Sequence, residues 1–394
     1  MLFKPRRIKK TLENALKLFP VIVLTGARQT GKSTLLQTEL PLYRYITFDD
    51  PLERSFALDD PRGFLAQFND DKGVILDEIQ YVPELFQYLK MEVDTNRIPG
   101  RWILTGSQQF HLMKSVSESL AGRSVLLDLT PFSFSELNED RPLEHTLWNG
   151  LYPEPTLFPE KRDMWMRSYF QTYLDRDVRH LGNVTDLRSF EHFVSLCAAR
   201  HSQELNINSL ARDCGIANAT AKDWVSLLES CYVLYLLKPF HNNLGKRLIK
   251  SPKLYFCDSG LASYLTRQPS AEALVSGSMG GAFMEGFVVM EAVKVFFSYG
   301  RTPEIYFWRS HDGLEVDLII QHKQQVWPIE IKLSSTPKPN FLSPCTQLQK
   351  FSQGKISLLP AILVCNTTEI QNLPNGALSI PWSQFGLWLE KQIQ

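Results

Sequence analysis

The sequence predicts a multidomain α/β protein: a parallel-sheet core, a helical linker, a winged helix, and a small α/β domain. Three observations predict it. Residues 1–135 alternate short apolar runs with helical patterns; "VIVLT" (21–25), "YRYITF" (43–48), "GVILDE" (73–78), "RWILTGS" (101–107) and "SVLLDLT" (124–130) are the candidate strands. That alternation belongs to a mostly parallel sheet covered on both faces. In residues 205–258, "INSLARDCG" and "NATAKDWVSLLESC" read as helix, Gly-containing turn and helix, followed by the strand-like "YVLYLLKPF" and "KLYFCDSG". Helix–turn–helix plus a hairpin is winged-helix order. Third, the Gly/Ser-rich "SGSMGG" (276–281) marks a boundary before a helix and several further strands. The expected domains are 1–135, 136–200 (a helical lid or linker, with "MWMRSYFQTYLDRDVRHL" its clearest helix), 201–270 and 271–394.

Bulk properties set outer bounds. A chain of 394 residues exceeds one ordinary core. Its 42 basic residues balance 42 acidic ones, so no global field draws it to nucleic acid, and such binding needs a local patch. Six widely spaced cysteines without C-x-x-C suit reduced thiols in a cytosol, not a disulfide frame or a zinc site. No apolar run approaches membrane-spanning length, and the basic "MLFKPRRIKK" leads into an amphipathic stretch and not a signal-peptide core. A cytoplasmic protein with no membrane partner is expected.

"GARQTGKS" (26–33) fits G-x-x-x-x-G-K-[ST] between an apolar strand and a helix, the context this phosphate-binding motif requires. Gly26 and Gly31 permit turns that a Cβ would block, turning backbone N–H groups and a helix N-terminus toward phosphates. Gly26, Ala27, Arg28, Gln29, Thr30, Gly31, Lys32, Ser33 and Thr34 are the expected ATP cradle. Lys32 is expected on the β- and γ-phosphates and Ser33 on Mg²⁺. The strand "GVILDE" ends in Asp77, a second Mg²⁺ ligand, and Glu78, the residue expected to orient an attacking water. Thr105 or Ser107 at the end of "WILTGS" is a candidate sensor of the γ-phosphate; a plain strand-end turn is the other reading. Arg123, just before the last strand, is placed either to reach nucleotide on a neighbouring subunit of a homo-oligomer or to be a solvated strand-entry residue.

"TGARQTGKST", "ILDEIQYVPELF", "WILTGSQQF" and "SLAGRSVLLDLTPFSFSEL" resemble one group of prokaryotic AAA-type ATPases. In that group a C-terminal domain of unknown function follows, often related to PD-(D/E)XK nucleases. "GLYPEP" (150–155), "YLDRDV" (173–178), "KSPKLYFCDSGLASYL" (250–265) and "IEIK" continue the likeness over nearly the whole chain. The resemblance implies an additional-strand P-loop core, and Arg123 matches the group's arginine-finger region.

"EVDLIIQHKQQVWPIEIK" (315–332) is apolar enough to be buried yet carries charge. A turn near 323–324 sets Asp317 opposite Glu330, and alternation puts Lys332 on the face of Glu330. Two carboxylates and an amine on one surface can hold a divalent metal and steady a scissile phosphate. This is PD-(D/E)XK logic: Asp317 and Glu330 for Mg²⁺, Lys332 for water activation or charge. Glu285 on the preceding helix resembles the extra helical acid of that superfamily, and Glu315 shares Asp317's face. An edge hairpin with a solvated polar face remains the competing reading.

Residues 238–253 hold Lys238, Lys246, Arg247, Lys250 and Lys253 without an acid, a cluster suited to phosphate contacts on nucleic acid. Trp224, Leu227, Leu228 and Cys231 follow helical spacing and are expected in the core, leaving Lys222, Asp223 and Glu229 as a poor base-reading surface. Arg176 in "YLDRDVR" reads either as a second nucleotide sensor in the helical lid or, the blander reading, as paired within its helix with Asp175 and Asp177. Two functions follow: an ATPase coupled to DNA binding and Mg²⁺-dependent nuclease action, or an ATP-dependent switch that binds a protein partner through a silent nuclease-like domain. A DNA-tethered motor without a nuclease is a third.

Overall fold

Every residue of the run Val21–Thr25 is buried, so both faces of its sheet must be covered. A computed structural model describes residues 3–69, 72–106, 119–137, 139–173, 186–240, 251–310, 312–352 and 357–394. They form two units, the first made of Met1–Phe132 with Ser230–Tyr232 and Phe296–Arg301, the second of the remainder.

In the first unit, β1 (Val21–Thr25), β2 (Arg44–Thr47), β3 (Val74–Asp77), β4 (Trp102–Thr105) and β5 (Ser124–Asp128) pair in parallel in the order β2-β3-β4-β1-β5. All five lie within the runs expected to be strands. β4 stands between β1, which leads into the glycine-rich loop, and β3, which ends in Asp77: this is the additional strand. Val21 and Val23 enter one core with Phe48, Phe64 and Trp102, whereas Ile22 and Leu24 enter another with Leu12, Leu35 and Ile103. Among the described residues, five helices accompany the strands: α1 (Lys9–Leu18), α2 (Lys32–Glu39), α3 (Pro51–Asp59), α4 (Pro61–Ala66) and α5 (Leu85–Thr95). Asp50 and Asp60 cap α3 and α4, each ahead of a proline at the first helical position.

The second unit begins with α6 (Phe134–Leu137), α7 (Leu143–Asn149), α8 (Pro153–Leu157), α9 (Arg162–Tyr173) and α10 (Leu187–Ala199). Then come β6 (Gln203–Glu204), α11 (Ile207–Cys214), α12 (Asn218–Ser230), β7 (Leu234–Leu237) and β8 (Lys253–Phe256). The strands form an antiparallel sheet in the order β6-β8-β7. Gly215, left-handed at φ 72, ends α11 as the expected turn requires. Trp224, Leu227, Leu228 and Cys231 are buried as expected. α13 (Ser259–Leu265) packs on α7 through two motifs that carry the family likeness. Asp258 caps α13 by accepting from Leu261 N–H and also accepts from Leu151 N–H at 2.7 Å. Side chains at Gly150 or Gly260 would collide with Asp258 or the Asn149 carbonyl. Thus "GLYPEP" and "CDSG" interlock across one core.

After α14 (Ala271–Ser276) and α15 (Gly280–Ser298), a six-stranded sheet forms from β9 (Ile305–Arg309), β10 (Glu315–His322), β11 (Gln325–Lys332), β12 (Ile362–Cys365), β13 (Gln371–Asn372) and β14 (Leu378–Pro381). Its order is β13-β14-β12-β11-β10-β9; β9, β10 and β11 run as an antiparallel meander, while β11, β12 and β14 are parallel. α16 (Ser343–Ser352) and α17 (Phe385–Ile393) complete it. β10 bulges against β9 between Val316 and Ile319, so Asp317 stands where the ladder is broken. Bulges re-aim side chains, and here Val316 through Ile320 are all buried, not alternating. No helix among the described residues is long and apolar enough to cross a membrane.

Candidate functional site

The glycine-rich loop links β1 to α2 with three left-handed residues, Gly26 (φ 141), Gln29 (φ 62) and Gly31 (φ 89). At Gly26 a Cβ would also strike the Leu129 carbonyl, so only glycine fits. Buried Arg6 braces the loop from outside: Nη1 donates to Thr30 O at 2.9 Å and Nη2 to Thr130 O at 2.7 Å and Pro131 O at 3.3 Å. Lys32 turns its ammonium onto the Gly26 and Ala27 carbonyls, 2.9 Å from each. Thr30 bonds Ala27 O across the loop, Arg28 and Thr34 are half-buried, and Gln29 is exposed.

Asp77, at the end of β3, is buried and accepts from three hydroxyls: Ser33 at 2.9 Å, Tyr45 and Thr105. Such donors offset the desolvation of a buried carboxylate. Thr105 donates to Asp77 from inside the core, its hydroxyl wholly buried. Ser107 and Arg176 lie outside the described residues. Glu78 adopts left-handed φ 57 and accepts from Gln80. Burial raises its carboxyl above the usual range, with Lys32 pulling the other way. Arg123 is held by Asp94 through Nε at 2.5 Å and Nη2 at 2.9 Å in an exposed ion pair.

In the second unit, the β10–β11 pairs run from Leu318↔Ile329 to His322↔Gln325, a register that, extended by one position, sets Asp317 opposite Glu330. Lys332 Nζ lies 2.9 Å from Asp317 Oδ2 and 2.8 Å from Glu330 Oε2, and Ile331 N–H donates to the same Asp317 oxygen at 2.8 Å. Burial and then Asp317 push the Glu330 carboxyl well above its ordinary range, against Lys332. Burial pulls Lys332 down, but the two carboxylates outweigh it and raise it. Glu285, Glu315 and Asp317 each bring one carboxylate oxygen within 4.8 Å of the others.

Lys253 departs from its reading as a phosphate contact. It is buried, with Nζ 2.5 Å from Glu285 and 2.6 Å from Glu315, because β8 carries it inward, into the carboxylates and away from solvent. Lys238 is exposed, and Lys246, Arg247 and Lys250 lie outside the described residues. Sequence reasoning missed Arg6, Tyr45, Tyr255 and Arg309, which no local motif marks. The six cysteines are free, as their spacing suggests.

A parallel sheet with this strand order, a glycine-rich loop between β1 and α2, and paired acids ending β3 define an AAA-type P-loop ATPase domain. Residues 18–138 match the family described as AAA domain, residues 140–272 Domain of unknown function (DUF8612), and residues 280–385 Domain of unknown function (DUF4143). The chain is 32% identical over 340 residues to uncharacterized protein Rv2008c of Mycobacterium tuberculosis, covering 86% of this chain and 76% of that protein. Uncharacterized protein Mb2031c of Mycobacterium bovis matches with the same identity and coverage. The chain belongs to the family of these AAA-domain proteins. Among solved structures, the Walker-type ATPase PABY2304 of Pyrococcus abyssi superposes with a TM-score of 0.44 at 17% identity, over 67% of this chain and 96% of that one.

Proposed function

We propose that the protein hydrolyses ATP in its first unit and cuts phosphodiester bonds of nucleic acid at a metal-dependent site in its second. The contact between Ser33 and Asp77, with Glu78 next in the chain, carries the first half. A hydroxyl beside a carboxylate is a hard-oxygen pair suited to Mg²⁺, which supplies charge neutralisation at the phosphates when bound. Lys32 exchanges its loop carbonyls for phosphate oxygens, and Glu78 orients water. Arg123 serves a neighbouring subunit of a homo-oligomer once released from Asp94.

The convergence of Lys332 on Asp317 and Glu330 carries the second half. These carboxylates, with Glu285, are the donors for Mg²⁺, and the Lys332 ammonium steadies charge on the scissile phosphate. The order from α10 to β8 reads as a winged helix that brings nucleic acid through Lys238, Lys246, Arg247 and Lys250. A protein-binding switch is favoured instead by one observation, that two lysines already neutralise the carboxylates.

Phosphate release and Mg²⁺- or Mn²⁺-dependent nicking, measured together, test both. Lys32→Ala and Glu78→Gln should each abolish ATP turnover, with Glu78→Gln lowering kcat about 10²-fold or more. Asp317→Ala and Lys332→Ala should abolish nicking. Unchanged turnover removes the first assignment. No cleavage of any DNA or RNA by the parent protein, with ATP present, favours the switch.

A further inference from the structure

The first residue of β8 is a lysine with only 3% of its surface exposed, and a buried ammonium needs closely placed counter-charge. Lys253 Nζ takes Oε1 of Glu285 on α15 and Oε1 of Glu315 at the start of β10. Tyr255, two residues along the same strand face, donates to that Glu285 oxygen at 2.6 Å. Arg309 approaches the other Glu315 oxygen at 3.5 Å and holds Glu204 of β6 at 2.5 Å. The ammonium thus occupies oxygens of the Glu285–Glu315–Asp317 cluster, which is compact enough for one divalent ion. Beside Asp317, Glu330 Oε1 is buried with no hydrogen-bond partner among the described residues, an acceptor left for an ion or its water.

Resting on the metal-dependent reading of Asp317 and Glu330, we propose that Lys253 is a built-in competitor for the divalent cation, holding Glu285 and Glu315 until the ion displaces it. A divalent ion at these oxygens and an ammonium on the same two carboxylates repel at short range in a dry site, so they exclude one another. Lys332 differs: it is half-buried at the edge of the site and can swing aside. Lys253 is fixed by the pairing of β8 with Glu204 and Leu237 on either side. Loading the ion is therefore coupled to a shift of β8, and the three-stranded sheet gates metal occupancy of the six-stranded one.

The test is Mn²⁺ binding by calorimetry, without nucleotide, to full-length protein carrying Asp77→Asn to silence the first unit, with and without Lys253→Met. The variant should bind about tenfold more tightly or better. Because removing a buried ammonium can unfold the chain, a second measurement uses the parent protein: reductive methylation of Lys253, read by peptide mass spectrometry, should rise when Mn²⁺ saturates. Equal affinities, or Lys253 labelling unchanged at saturation, overturns the competition while the metal site stands. No Mn²⁺ bound by either protein overturns both the competition and the metal-dependent reading.

Discussion

Arg6 carries the nucleotide loop from outside the motif that names it. Its guanidinium ties Thr30 to Thr130 and Pro131, so the loop is anchored to the chain that follows β5. Removing that side chain strips a charged donor from three carbonyls, two of the contacts being buried. Arg6→Ala should therefore lower unfolding free energy by about 2–3 kcal/mol and weaken nucleotide binding as the loop relaxes. Thermal unfolding and titration with a fluorescent nucleotide measure the two effects. Lost stability with unchanged affinity would mean that Arg6 holds the fold and does not shape the cradle. Neighbouring Lys32 is likewise kept near its post, its ammonium bonded to two carbonyls of the loop it will serve.

At the scale of elements, β8 joins the chemistry of the second unit to its acid sensitivity. Its Phe256 N–H donates to Nδ1 of His201 at 3.1 Å, and His201 packs on Phe283 of α15. Gly286, next to the candidate ligand Glu285, leaves the space this imidazole fills. Burial, helped by the Lys253 charge, holds His201 down at about 3 from the usual 6.5. The unfolded chain therefore takes up a proton near pH 6.5 that the folded chain refuses until near pH 3. Between those values the unfolded state binds more protons, so this group removes stability as pH falls, by up to about 1.4 kcal/mol per pH unit. His201→Gln keeps an acceptor for Phe256 and removes the titration. Chemical denaturation between about pH 4 and pH 6.5, inside that window, should show a shallower acid loss in the variant. Identical slopes would show that His201 is protonated in the fold.

Across the whole molecule, legibility follows sequence distance. The first unit was legible because its strands are all-apolar runs and its phosphate chemistry is local: positions 26–34, with Asp77 and Glu78 closing another apolar run. Asp317, Glu330 and Lys332 were legible as a register, since one turn fixes which residues oppose one another. Lys253 was not, because 62 residues separate it from Glu315, and a basic run looks alike whether β8 carries its lysine inward or outward. Arg123 lies between these cases: position before β5 marks it, but its bond to Asp94 arises 29 residues away. An exposed pair of this kind is weak and readily exchanged for a better partner, such as a phosphate would be on an adjoining subunit of the proposed homo-oligomer. Mixing two inactive proteins tests that exchange. Lys32→Ala subunits offer an intact Arg123 but no working cradle; Arg123→Ala subunits have the cradle and lack the arginine. If the arginine acts between subunits, ATP turnover should reappear in the mixture and rise with the proportion of Lys32→Ala chains before falling. Full activity of Arg123→Ala alone would leave Arg123 as nothing more than the partner of Asp94.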